Sequence, residues 1–504
     1  MNSNKLLLCI VTLSIQTYAS AYAYGSLYQS SNMKCSYGER GSLTATCENA
    51  TSNFFKSTPY RFDSLDETLI CKNCDLGNVP SNAFDITNNQ IATLILQRSN
   101  ILGLSNAAFM GLIQLKVLDL SYNSIPSIAP GVFKGIKNVI SLDLSHNNLG
   151  MLLKNGFSEL GNLTTMHLND NLIKSIDSGS FEKLGHLKHL DLTNNYVKEI
   201  TDSFVGVPNL EHLMLRNNSL TALQPDQINM TSLISLDLSQ NKIQNLTAYV
   251  FSSLKNLEQL NLSRNGLENI ENGAFKGLSK LEYLDLENNN IHTLQYATFI
   301  RLHNLRELHM PYNKLYVLKL GLFSPMPELR YLNVSHNNIH GIAKGNVMKL
   351  YHLHTLDISY NDITELDYKD LFDHAQRLVY ITVDNNNLPC YVVEEMIDYF
   401  NDDGVMFSID DTSSLKQSCN KTLTKDISLE KEMVKIEKLA MPEPPQTSGN
   451  IYVIYVLLCL LTIIVCFMGY IQLKIYKETI GRKTNDIAEV NLISSGGHAN
   501  HDDY

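Results

Sequence analysis

Apolar and polar residues alternate along this chain in one short phrase that keeps returning. It reads LDLSYNSI at 118–125, LDLSHNNL at 142–149, LDLTNNYV at 190–197, LDLSQNKI at 236–243 and LNLSRNGL at 260–267. Leu118 and Leu120 stand two apart, so they face one side of a short strand and Asp119 faces the other. The asparagine marks the register at Asn123, Asn147, Asn171, Asn195, Asn218, Asn241, Asn265, Asn289, Asn313, Asn337, Asn361 and Asn386. Of the eleven spacings eight are 24, two are 23 and one is 25, which is too regular for separate globular domains and predicts a stack of like coils. No single coil can bury its apolar face alone, so the leucines must pile into one spine. The asparagine side chain carries donors and an acceptor, and buried after the strand it can bond the turn backbone of adjoining coils. One register earlier Ser99 takes the slot, and before it Cys74 in LICKNCDL, where a small thiol tolerates burial.

The second half of each coil carries a phenylalanine six residues before the next leucine. Phe109, Phe133, Phe157, Phe181, Phe204, Phe251, Phe275, Phe299, Phe323 and Phe372 fill that slot, and Gln227 and Val347 depart from it. The phrase L-x-x-L-x-L-x-x-N-x-L resembles the leucine-rich repeat over roughly residues 69–390, in the 24-residue subtype of extracellular animal receptors, Toll-like ectodomains among them. The resemblance implies an α/β solenoid: a curved horseshoe with a parallel concave sheet, short helical turns on the convex side and disulfide-linked end caps. Residues 24–90 then form the front cap with a first degenerate repeat, 91–388 the repeats and 389–420 the rear cap. VVEEMIDYF in the rear cap predicts an amphipathic helix over the last repeat. Family rear caps usually hold four cysteines; this one holds two.

The ends of the chain read as addresses. Lys5, the apolar run Leu6–Ile15 and the small residues Ala21 and Ala23 read as a secretory signal peptide, residues 1–23. Ile451–Leu473 is an uncharged stretch long enough to cross a bilayer, and Lys474, Lys477, Arg482 and Lys483 follow it. The expectation is one transmembrane helix at 451–473, a cytoplasmic tail at 474–504 and a stalk at 421–450, in a plasma-membrane protein with its N-terminus outside. Six of nine cysteines fall outside the signal and the span, at the two ends of the repeat block. Cys390 and Cys419 stand apart from the rest and are paired. Cys35, Cys47, Cys71 and Cys74 leave three connectivities open.

Composition narrows the chemistry. Forty Lys+Arg stand against 51 Asp+Glu, a net charge of -11, and no long basic run is visible, so no nucleic-acid partner is expected. No nucleophile elbow, zinc-protease, phosphate-loop or kinase motif occurs, so no catalytic residue, cofactor or metal is assigned.

What remains is surface. The column between the strand leucines is rich in aspartate: Asp119, Asp143, Asp191, Asp237, Asp285 and Asp357, an acidic strip open to a cation or a basic partner. Tyr283, His309, Tyr312, Tyr331, His336, Tyr360 and Tyr380 cluster on the strands of the later repeats and form the candidate ligand surface, since tyrosine combines apolar area with one hydroxyl. His167, His189, Asp191 and His212 form a third group beside the two 23-residue spacings, where imidazoles could charge together in acid. Glycosylation sequons at Asn49, Asn162, Asn217, Asn229, Asn245, Asn261, Asn333 and Asn420 all precede the apolar span. Together these features predict a cell-surface receptor or co-receptor for a protein or microbial ligand, without a signalling domain of its own. Its partner is a protein ligand or co-receptor, with another leucine-rich-repeat protein among the options. Cell adhesion in tissue or neural patterning is the rival.

Overall fold

The computed structural model describes residues 34–37, 43–51, 66–85, 89–225, 227–342, 345, 349–402 and 405–408. The expected signal peptide, stalk, membrane span and tail, with Cys419 and Asn420, lie outside the described residues. Among the described residues no helix is long and apolar enough to cross a membrane.

The repeating phrase folds as one strand of the main sheet per coil, and some coils add a short parallel pairing elsewhere, as Met151–Leu152 with Ser175–Ile176. A short antiparallel hairpin, Lys34–Tyr37 against Thr44–Glu48, opens the sheet. From Thr44–Glu48 onward every neighbour is parallel, through Thr68–Lys72, Thr93–Ile95, Val117–Asp119 and their successors to Tyr380–Thr382 and Met406–Ser408. Among the described residues the ladder has 17 strands and extends past 91–388 on both sides. Leucine pairs with leucine in register, as in Leu118↔Leu142 and Leu260↔Leu284, where each strand is three residues long and its central side chain points inward. Those leucines are at most 1% exposed and belong to one continuous apolar core.

The phenylalanines stack on the opposite edge of the coils. Phe84, Phe109, Phe133, Phe157, Phe181 and Phe204 form one run with ring centroids 6.0–6.2 Å apart, and Phe251, Phe275 and Phe299 a second at 6.0–6.3 Å. Neighbouring strands lie only about 4.8 Å apart. Each coil is therefore wider at its phenylalanine than at its strand, and the described coils bend toward the sheet. The run breaks at Gln227, whose amide turns aside to donate to Thr201 Oγ1 at 2.8 Å and accept from the Gln224 N–H at 2.9 Å. Gly277 marks the close approach between coils: at φ +106° a Cβ there would stand 2.7 Å from the Ser252 carbonyl oxygen.

The asparagines tie coil to coil. Asn147 Nδ2 donates to Leu144 O and Ser145 O in its own coil and to Leu120 O of the preceding one, at 2.9–3.1 Å. Its Oδ1 accepts the Ile125 N–H at 3.0 Å. Asn123 accepts from both Ser99 N–H and Ile101 N–H, so the coil that has serine in the slot takes its second bond from the asparagine next door. Cys74 corrects the reading of that slot as a tolerated thiol: it is bonded to Cys71, with Cα atoms 5.9 Å apart. This disulfide removes two of the three connectivities open to the front cysteines.

The rear end is closed by two helices, α1 (Tyr368–His374) and α2 (Cys390–Asp402). Asp367 caps α1 by accepting the Asp370 N–H at 3.0 Å. Val393, Met396 and Phe400 give α2 a buried face at helical spacing. Phe400 meets Tyr368 and Phe372 edge-on at 6.2 and 6.0 Å, so α2 covers the apolar end of the last coils. Cys390 is disulfide-bonded.

Candidate functional site

The acidic strip has a local explanation. Asp119, Asp143, Asp191, Asp237, Asp285 and Asp357 each turn one oxygen onto the N–H two residues ahead, at 2.8–3.0 Å. Asn261 and Asn333 make the same bond with Oδ1 at 2.9 Å. This is the side-chain turn that ends these eight strands, and it needs an acceptor on a short stem, which Asp and Asn both supply. The aspartates recur because the turn recurs. Burial raises the pKa of Asp119 and Asp285 against the opposing pull of those bonds.

The candidate tyrosines and histidines separate into two groups. On the strand face Tyr283, His309 and Tyr331 pack in sequence, centroids 5.2 and 4.7 Å apart, on three adjoining strands. All three are half-buried. Burial pushes both tyrosine hydroxyls to a higher pKa, with nearby carboxylates adding to the effect on Tyr283. His309 stands 3.5 Å from Glu307, and that hydrogen bond draws the Glu307 pKa down. Tyr380 is separate from this group and tilts against His354 at 5.5 Å.

Tyr312, His336 and Tyr360 sit in the turn after the strand, each immediately before its register asparagine. Every described residue at that offset from Arg98 to Asn385 has a positive φ, between 50° and 57°. The left-handed step aims these side chains outward in a single file. Tyr312 and Tyr360 stack on the two faces of His336, both at 4.1 Å, and remain 51% and 44% exposed. The same file holds a second stack that the sequence reading passed over: Arg98 lies 4.4 Å over the Tyr122 ring, and Tyr122 stacks on His146 at 4.0 Å. It continues through His146–Asp170 at 3.4 Å, Asp170–Asn194 at 2.8 Å and Asn194–Asn217 at 2.8 Å. The signal was available, since Arg98, Tyr122 and His146 keep the same offset from the register mark as Tyr312 does.

His189 and His212 are directly paired in register, and their rings stack at 4.5 Å with planes 3° apart. Glu211 lies beside them and accepts from Lys188 Nζ at 2.8 Å. Burial, then the neighbouring His212, lowers the His189 pKa. Asp191 instead serves its own turn, bonding the Thr193 N–H. His167 stands half-buried on the preceding strand.

The sequons also divide. Asn49, Asn162, Asn217, Asn229 and Asn245 are exposed. Asn261 and Asn333 are half-buried on the sheet, and Asn333 Nδ2, the atom a glycan would use, points to Tyr331 Oη at 3.4 Å. Asn217 Nδ2 is bonded to Asn194.

The leucine-rich repeat profile matches residues 89–149, 161–220, 208–267, 256–315 and 327–388, more than half of the chain. The chain belongs to the leucine-rich repeat family. Its repeats are similar to the APL1 leucine-rich repeat domain, at 21% identity and a TM-score of 0.56, covering 70% of this chain and 90% of that one. They are similar to a chain of the Drosophila Toll–Spatzle complex at 24% identity and a TM-score of 0.54, over 65% of this chain and 49% of that one. A leucine-rich repeat protein of Leptospira interrogans aligns at 24% identity and a TM-score of 0.51, over 69% and 91% of the two chains. At such identities the likeness is one of fold. No curated protein sequence matches the chain. The leucine-rich repeat is commonly a scaffold for protein–protein contact, and this one offers two aromatic files on its ribbed face.

Proposed function

We propose that the chain is a single-pass cell-surface protein that recognises a protein ligand through the aromatic surface of its later repeats, as a receptor or co-receptor. The observation that carries this is the Tyr312–His336–Tyr360 stack, whose two tyrosines are half exposed although each ring has a flat partner. Stacking fixes the rings before any ligand arrives, so little side-chain entropy remains to be lost on binding. Tyrosine so placed has the profile of a binding hot spot. The strand group Tyr283–His309–Tyr331 lies on the same coils and extends the surface over the sheet. The Drosophila Toll–Spatzle complex is a precedent for protein recognition by this fold. The signal-like residues 1–23, the uncharged stretch 451–473 and the basic residues behind it support the membrane placement. Disulfides at both ends of the repeats suit an oxidising exterior.

The test is proximity labelling by the full chain on living cells, comparing wild type with Tyr312→Ala/Tyr360→Ala. Loss of a specific labelled neighbour at equal surface expression supports the reading. An unchanged set of neighbours refutes the aromatic surface as the ligand site, and cell aggregation that survives the double variant assigns the chain to adhesion through another face. Tags at the two ends, probed by antibody on intact cells, test the placement: an accessible tag after residue 504 overturns it.

A further inference from the structure

We propose that His189, Glu211 and His212 form a binding site for a divalent transition metal of the zinc class. The two histidines open adjoining strands and are paired residue to residue, so the parallel ladder holds their Cα atoms side by side. Glu211 immediately precedes the second strand, and its own N–H and that of His212 both donate to Lys188 O, at 2.9 and 2.8 Å. The backbone of all three residues is thereby locked. One ligand atom from each lies within 4.8 Å of the others, and among the described residues no other three histidine, cysteine or carboxylate side chains come together in this way.

The donor set is two imidazole nitrogens and one carboxylate oxygen, a combination that suits Zn²⁺, Cu²⁺ and Ni²⁺ rather than the oxygen-seeking Mg²⁺ or Ca²⁺. Bonds of about 2.0–2.2 Å to a tetrahedral ion put donors about 3.4 Å apart, so side-chain rotation closes the cluster without moving the strands. An imidazole nitrogen donates in its ring plane, so the two rings, stacked at 3° between planes, turn out of the stack to reach one ion. Lys188 takes only Oε1 of Glu211, which leaves the second oxygen for a metal. Three protein donors leave a fourth position open, and His189 is exposed, so that position faces solvent. A water fills it in the isolated protein, and a carboxylate or imidazole of a bound partner can replace that water. The local spacing contributes as well: the two coils that begin at His189 and His212 are the ones shortened to 23 residues, and the site sits where the array is tightest along the chain.

The experiment is titration of the full chain in detergent with Zn²⁺ alone by calorimetry, repeated with Co²⁺ read by its visible absorption. Wild type should show a site that both His189→Phe and His212→Phe weaken at least tenfold; phenylalanine keeps the stack and removes the ligand. His498→Gln/His501→Gln, which alters the histidines near the C-terminus, should leave the site in place. Lys188→Gln should tighten binding several-fold, because it releases Glu211 and removes a repelling charge; a gain of affinity cannot come from misfolding. Equal affinity in wild type and both phenylalanine variants overturns the proposal, as does loss of the site in His498→Gln/His501→Gln alone, or no tightening in Lys188→Gln.

Discussion

Replacing Asn195 by alanine tests how the coils are held together. The side chain is 4% exposed and makes four hydrogen bonds. Nδ2 donates to Leu168 O at 2.9 Å, Leu192 O at 3.0 Å and Thr193 O at 3.2 Å, and Oδ1 accepts the Ile173 N–H at 3.0 Å. The four losses are unequal. Leu168 O keeps the amide of Asn171, Leu192 O keeps that of Asn218, and Thr193 O keeps the Asp170 N–H. Ile173 N–H keeps nothing. An orphaned buried N–H costs about 1–3 kcal/mol, and three bonds to carbonyls that retain another donor add about 0.5 kcal/mol each. The sum is about 3 kcal/mol, placed between the coils on either side of residue 173. Solenoid stability is local, so the effect belongs in local opening rather than in one global midpoint. Amide hydrogen exchange on the full chain in detergent should show strands Thr165–His167 and His189–Asp191 opening roughly 100-fold more often, at ~1.4 kcal/mol per tenfold. Lys198→Ala, at an exposed position in the same coil, is the control. Acceleration of less than tenfold over that control would refute the shared-carbonyl reasoning.

Other outcomes follow from the same geometry. Phe275→Ala removes a ring stacked on both sides and should lower stability by about 3–5 kcal/mol, whereas Phe204→Ala, at a broken end of the run and 8% exposed, should lower it less; equal shifts in thermal unfolding would contradict the ladder. Asp143→Asn keeps the acceptor for Ser145 N–H and should stay within about 0.5 kcal/mol of wild type, while Asp143→Ala should cost about 1 kcal/mol; the reverse order in denaturant titration would return the strip to a charge role. Glu307 has a depressed pKa because of its bond to His309, so its folded form holds the proton less tightly than the unfolded chain. Its contribution is therefore present above a carboxylate's ordinary pKa of about 4.3 and is lost as the pH falls through the depressed folded value; Glu307→Gln should flatten that part of the melting profile.

Periodicity made the repeat legible at once, because a coil that must bury two leucines and satisfy its turn cannot vary those positions. The in-register strands, the inward leucines and the phenylalanine edge follow from spacing alone. The meaning of the variable positions did not. Asp119 and Asn261 look like surface charge and a glycan site in a linear reading, and only the folded turn shows Oδ1 committed to a neighbouring N–H. Cys74 stood in the asparagine slot with three pairings open to it, and only the fold pairs it with Cys71.

The linear sequence thus determined the coil, its length and its inward face, since those depend on contacts repeated every 24 residues and leave a trace at each turn. The tertiary structure alone decided which side chains meet across coils. Tyr312 with His336 and Tyr360, Arg98 with Tyr122 and His146, and His189 with His212 and Glu211 are neighbours in space because parallel register and a left-handed step at each turn line them up. Their shared offset from the register mark can be read in the sequence, but which of them stack, bond or stay apart depends on side-chain packing that no spacing records.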